Sequence, residues 1–190
     1  NLLAAAAAAE ALGLPFEAVT RGIEATRPLA GRMEAVRAGQ PFLAIVDFAH
    51  TDAALEAAIR AGARYVEVDV QLSADKVPVL FHDRTLDRLC RVEGTIHRYT
   101  REELKAFHVF EFERFGYKFA QNPITTLAEL GALLARHPQV TAFIELKRVS
   151  IEVFGAQTVL DNVLRSLAPV IAQCVLISYN VPVLAAARQQ

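Results

Sequence analysis

Residues 65–70 read Tyr65-Val66-Glu67-Val68-Asp69-Val70, and two later runs close in a similar way: Leu80-Phe81-His82-Asp83 and Ile144-Glu145-Leu146-Lys147. Each is a short aliphatic or β-branched stretch ending in groups that can ligate a metal or handle a phosphate. A strand turns successive side chains to opposite faces. Glu67 and Asp69 therefore share one face, about 6.6 Å apart along the strand, and Glu145 and Lys147 repeat the arrangement. Carboxylates inside apolar runs are costly without partners. Two of them, joined by a third from a neighbouring strand, hold a hard divalent cation with positions left for water. A lysine and a histidine beside them suit phosphoryl chemistry.

Working outward, an apolar run at 41–49 ends at His50, and helix 52–61 leads through Gly62 into the 65–70 strand. Pro78 opens a strand at 78–82. After residue 126 the alternation is regular: helix 126–136, strand 140–146, helix 156–167, strand 174–179, helix 181–189. Nearly continuous apolar strands alternating with helices predict a parallel sheet covered by helices. Acidic, histidine and lysine residues at strand C-termini lie where an α/β barrel places its active site. Residues 84–125 break the pattern, being polar and rich in Arg and Phe. They read as an excursion with one short helix at 100–107, whose Thr100 and Glu103 form a capping box. Phe107, Phe110, Phe112, Phe115 and Phe119 read as its packing side. His97, His108 and His137 read as surface residues. Upstream, residues 2–12 are an alanine-rich helix ended by Gly13. Pro15 opens a second helix with Phe16, Val19 and Ile23 at helical spacing.

The bulk composition narrows the function classes. Hydrophobic residues make up 53% of the 190, ample for a core. Lys and Arg number 20 against 21 Asp and Glu, which offers no electrostatic case for nucleic acid. Cys90 and Cys174 form no metal or redox motif; free thiols and a reducing cytoplasm are expected. No apolar run approaches the ~18 residues of a membrane span. The N-terminal alanine run lacks a basic leader and is interrupted by Glu10, so it reads as a helix and not as a signal peptide.

From about residue 54 onward the chain resembles the glycerophosphodiester phosphodiesterases. The matching text runs through Ala54-Leu55-Glu56-Ala57-Ala58-Ile59-Arg60-Ala61-Gly62-Ala63, Glu67-Val68-Asp69-Val70, His82-Asp83 with Thr85-Leu86-Asp87-Arg88, Ile124-Thr125-Thr126-Leu127 and Ile144-Glu145-Leu146-Lys147. The resemblance implies a TIM barrel with a small insertion after the third strand, which fits residues 84–125. It implies Glu67, Asp69 and Glu145 as ligands of a divalent cation, calcium or magnesium. It makes His82 one of an acid/base histidine pair, and Lys147 a stabiliser of phosphate charge. The other histidine ends the first strand in that family and is followed by arginine. Here His50 is followed by Thr51-Asp52. Alternative roles stay open for two residues: Lys147 as a mere neutraliser of Glu145, and His50 as a residue shared by two motifs.

Residues 1–53 resemble a different family, the Mur ligases. Residues 1–26 are similar to the last helices of their central domain. Gly31-Arg32-Met33-Glu34 and Ile45-Val46-Asp47-Phe48-Ala49-His50-Thr51 are similar to the start of their C-terminal domain. The resemblance implies positions near an ATP ribose for Arg32 and Asp47. The phosphate-binding Gly-Lys-Thr/Ser loop is absent from the sequence, so no ligase activity is expected.

The expected architecture is a Mur-ligase-like helical segment at 1–40, then a truncated phosphodiesterase-like α/β domain at 41–190. The domain is a partial TIM-barrel-like parallel sheet of five strands (41–49, 65–70, 78–82, 140–146 and 174–179), short of the ~250 residues of a complete barrel. Its two exposed edges invite pairing with a second copy. The functional expectation is a chimera of fragments, engineered or selected, with a metal-dependent glycerophosphodiester site of little or no activity. The alternatives are an active hydrolase releasing glycerol 3-phosphate from a small glycerophosphodiester, and a nucleotide-binding ligase remnant.

Overall fold

The computed structural model describes residues 15–24, 34–36, 38–41, 44–46, 52–110 and 122–189. The chain divides into two compact units, Asn1–Phe48 and Ala49–Gln190. The predicted helix at 2–12, and Phe112, Phe115 and Phe119, lie outside the described residues.

In the first unit, helix α1 spans Phe16–Glu24. Pro15 precedes its first turn, and the Pro15 carbonyl accepts from the amides of Ala18 and Val19 at 2.9 and 3.1 Å. Proline suits this place because the first amides of a helix lack intrahelical partners anyway. Phe16, expected on an apolar stripe, is 83% exposed. Strands β1 (Glu34–Val36) and β2 (Ala44–Val46) pair antiparallel, with Ala35 opposite Ile45. The run predicted as the first strand of a parallel sheet is thus, over its described residues, half of a two-stranded ribbon.

In the second unit, helix α2 (Asp52–Arg60) ends where Gly62 adopts φ +103°, a conformation open to glycine and strained for other residues. Strand β3 (Tyr65–Leu72) follows, then the short β4 (Pro78–Leu80). The order in the sheet is β4-β3-β5-β6, with β5 at Thr141–Leu146 and β6 at Cys174–Ile177. β3, β5 and β6 run parallel, whereas β4 folds back antiparallel on the last three residues of β3. This differs from the all-parallel expectation for a plain reason. Only residues 73–77 separate β3 from β4, and a parallel connection needs a dozen or more. The turn is tied by Ser73, whose Oγ accepts from the Val77 amide at 2.9 Å and donates to Asp75 at 2.6 Å. Five strands were expected in one sheet; among the described residues four are there.

Between β4 and β5 the chain makes its excursion: α3 (Asp87–Cys90), a 3-10 turn (Ile96–Arg98), α4 (Arg101–Leu104) and α5 (Leu127–Ala135). The Thr100–Glu103 capping box is present, and Thr126 and Glu129 make a second one on α5. The excursion buries Leu86, Leu89, Ile96, Leu104 and Ile124 completely. Gly94 (φ +116°) lets the Tyr99 ring approach; a Cβ there would meet it at 3.2 Å. Phe110 is buried, and Phe107 packs edge-on against Tyr99.

Helices α6 (Arg148–Phe154) and α7 (Ala156–Leu167) follow β5, and α8 (Val181–Ala187) follows β6. The core gathers one face of the sheet (Val66, Val68, Val70, Ala142, Ile144, Leu146) with Leu130, Leu133 and Leu134 of α5 and Val159, Leu160 and Val163 of α7. Each Val, Leu or Ile among them contributes roughly 1.5–3 kcal/mol on burial. Residues of the other face alternate with these. They include Tyr65, which is 71% exposed, with Glu67, Asp69, Phe143 and Glu145. Cys90 is buried and Cys174 half-buried, both as free thiols.

Candidate functional site

Parallel pairing of β3 with β5 sets Glu67 beside Phe143 and Asp69 beside Glu145. Two carboxylates in register on adjacent strands repel, and Glu67 lies on the same face two residues earlier. Carboxylate oxygens of Glu67, Asp69 and Glu145 come within 4.8 Å of one another. The crowding shows in protonation. Burial, then the charges of Asp69 and Glu145, push the Glu67 pKa up to about 7, against the opposing pull of Lys147 and His82.

Lys147 is the compensating charge. It lies at the junction of β5 and α6, where its amide donates to the Val70 carbonyl at 3.1 Å. Its Nζ lies 3.0 Å from Asp69 Oδ1 and 3.2 Å from Glu145 Oε1, with all three side chains largely buried. Burial alone would lower the lysine pKa; the hydrogen bond and charge of Asp69, then those of Glu145, reverse that and raise it.

His82 follows β4, whose return brings the Phe81 amide to the Asp69 carbonyl at 2.9 Å. Its Nδ1 lies 2.8 Å from Asp83 Oδ1. Arg88 holds the same carboxylate with Nε on Oδ2 at 2.7 Å and Nη2 on Oδ1 at 2.8 Å. Burial would raise the Asp83 pKa, but the hydrogen bonds from Arg88 and then His82 hold it below the usual carboxylate range. Gln71, fully buried, donates from Nε2 to the carbonyls of Phe81 (3.0 Å) and Asp83 (2.7 Å).

The structure therefore brings together Glu67, Asp69, Glu145 and Lys147, with His82 near enough for its charge to act on Glu67. His50, with Arg32 and Asp47, lies outside the described residues. Of the remaining histidines His108 is exposed, while His97 and His137 are half-buried. His97 Nε2 lies 3.0 Å from Thr95 Oγ1. Sequence reasoning missed roles for Gln71, Asp83 and Arg88. Gln71 was within reach of the period-two rule, since it continues the face of Glu67 and Asp69. The Arg88–Asp83 pair is a contact across a bend and has no periodic signature.

The donor set fits a hard divalent cation: three carboxylates on rigid strands, no thiolate or imidazole among them, and one of them poorly tolerated as a free anion. Among the described residues, no helix is long and apolar enough to cross a membrane.

The sheet thus gathers three carboxylates and a lysine on β3 and β5, with a histidine following β4. The family model of the glycerophosphoryl diester phosphodiesterase family matches residues 21–169, and the chain belongs to that family. The match begins upstream of residue 54, where the sequence resemblance started. Over 85 residues the chain is 40% identical to a glycerophosphodiester phosphodiesterase of Caldanaerobacter subterraneus, covering 45% of this chain and 34% of that protein. An Oleispira antarctica phosphodiesterase, solved in complex with the product sn-glycerol-3-phosphate, is 27% identical with a TM-score of 0.63, over 73% of this chain and 55% of the other. A 72-residue stretch is also 40% identical to a UDP-N-acetylmuramoyl-L-alanyl-D-glutamate–2,6-diaminopimelate ligase of Halalkalibacterium halodurans, covering 38% of this chain and 15% of that enzyme. The chain thus spans about a third of the curated phosphodiesterase and about half of the solved one.

Proposed function

We propose that the chain carries the metal- and phosphate-binding part of a glycerophosphodiester phosphodiesterase site, acting weakly on small glycerophosphodiesters. The observation that carries this reading is the convergence of Glu67, Asp69 and Glu145 within 4.8 Å, two of them bridged by Lys147. Glu67, Asp69 and Glu145 would hold a divalent cation, calcium or magnesium, which would supply Lewis-acid polarisation of the phosphoryl oxygens and of the attacking hydroxyl or water. Lys147 offsets the negative charge that grows on the phosphate. His82 and His50 take the proton transfers, an assignment suited to imidazole near neutral pH.

Weak turnover follows from Thr51, which stands where the family resemblance calls for an arginine after the first histidine. A bidentate guanidinium–phosphate contact is among the stronger charge-assisted interactions, and threonine cannot make it. The ligase-like stretch supports a chimeric origin for the N-terminal part. Genomic DNA carrying the junction in one natural reading frame would count against that origin.

The test is release of glycerol 3-phosphate from glycerophosphocholine by the full chain, with calcium, with magnesium and with chelator, and Glu67→Ala as control. Slow, metal-dependent release that disappears in Glu67→Ala is expected. Release that persists in chelator and in Glu67→Ala, or none at any protein concentration, overturns the reading.

A further inference from the structure

We propose that Gln71, Asp83 and Arg88 are positioning residues that fix the His82 ring as its Nδ1–H tautomer and leave Nε2 as the nitrogen that exchanges protons. This rests on the reading of His82 as an acid/base group, but its structural content can be measured without turnover.

The ring is held through a chain of oriented contacts. Arg88 is ionised at all accessible pH and offers a planar fork. Its Nε and Nη2 take both oxygens of Asp83 at 2.7 and 2.8 Å. A carboxylate so engaged is an acceptor only. The 2.8 Å contact from Asp83 Oδ1 to His82 Nδ1 therefore requires the proton on Nδ1. Among the described residues, His82 Nε2 makes no hydrogen bond, and the side chain is 59% exposed. An imidazole so exposed would otherwise sample both tautomers and several rotamers. Asp83 itself is 17% exposed, so the hold is set in a sheltered place while the ring projects outward.

Gln71 supplies the other half. Its Nε2 bridges the two carbonyls on either side of His82, those of Phe81 and Asp83. Gln71 Oε1 is buried with no partner among the described residues, so the donor end alone dictates how the amide lies. Gln71 stands on β3, on the face of Glu67 and Asp69. One rigid strand thus carries two members of the carboxylate cluster and the clamp on the histidine backbone. Around metal-bound histidines, outer contacts of this kind are worth about 10–100-fold in activity.

The test uses the full chain labelled with ¹⁵N-histidine, read by ring nitrogen–proton correlation at about pH 8.5, above the ordinary histidine pKa. The His82 signals are assigned by their loss in His82→Gln. We expect Nδ1–H to dominate in the native chain and to give way to the Nε2–H form favoured by free imidazole in Asp83→Ala. Arg88→Lys, which keeps the charge but loses the fork, serves as a second variant should Asp83→Ala fail to fold, and shifts the balance part of the way. In the hydrolysis assay, Arg88→Lys lowers kcat about tenfold with KM little changed. A native ring dominated by Nε2–H, or tautomer populations indifferent to both substitutions, overturns the proposal. A native Nδ1–H signal in a chain without hydrolysis leaves the positioning intact and removes the activity reading instead.

Discussion

Asp69 and Glu145 are direct neighbours in register across the parallel pair β3 and β5, and Lys147 Nζ bridges their carboxylates at 3.0 and 3.2 Å. The lysine ammonium between them offsets their mutual repulsion.

Lys147→Met removes the internal cation and leaves the carboxylates largely buried without it. We expect a loss of about 2 kcal/mol in the metal-free chain. Urea unfolding in chelator and in millimolar calcium checks this: the deficit should shrink when calcium is present. A deficit unaffected by calcium would mean that the carboxylates do not share a cation.

Glu67 makes stability depend on pH. Its folded pKa of about 7 lies above the ordinary 4.5, so the folded state holds the proton more tightly. The stabilising contribution is complete below about pH 4.5 and is lost as pH rises through about 7. In chelator, Glu67→Gln should therefore gain on the native chain above pH 7 and match it near pH 4. The gain is on the order of 1 kcal/mol, discounted for the solvent exposure of the side chain. Thermal melts across that range measure it.

Thr51→Arg restores the guanidinium that the family resemblance calls for. We expect kcat/KM for glycerophosphocholine to rise tenfold or more. An unchanged or lower value would show that the missing arginine is not what limits turnover.

Two substitutions on α5 separate packing from capping. Leu130 is fully buried in the main core, so Leu130→Ala should cost about 2–5 kcal/mol. Thr126 accepts from the Glu129 amide at 3.2 Å, and Thr126→Ala should cost about 1 kcal/mol. Chemical denaturation of both variants gives the ratio.

Much of this arrangement was legible from residue order. Alternation placed Glu67 with Asp69 on one strand face. The boundaries of α7 and both ends of β5 fall within a residue of those read from periodicity, because these segments have strong apolar periods and clear flanking signals. The Thr100–Glu103 box was legible because capping is a contact three residues long. The direction of β4 was legible in principle from the short 73–77 turn, but its Pro78-led apolar run resembles a barrel strand. The hold on His82 was not legible. The two-residue period places Gln71 on the face of Glu67 and Asp69, but its bonds to the Phe81 and Asp83 carbonyls cross a hairpin and the Arg88–Asp83 pair crosses a bend, and no local period records those contacts.

Residue order alone sets the chemistry available here: three carboxylates, a lysine and a histidine at the ends of apolar runs, on faces set by the two-residue repeat of a strand. That β5 lies directly beside β3 is settled by the packed fold. That adjacency puts Glu145 against Asp69, makes Lys147 their shared counter-ion and adds the Glu145 charge to the burial and the Asp69 charge that raise the pKa of Glu67. The physical reason is range. Alternation and capping act over a few residues and are written in local order. Strand neighbours separated by residues 73–140 are chosen by burial of a common core, and the charges on the opposite face take the positions this core imposes.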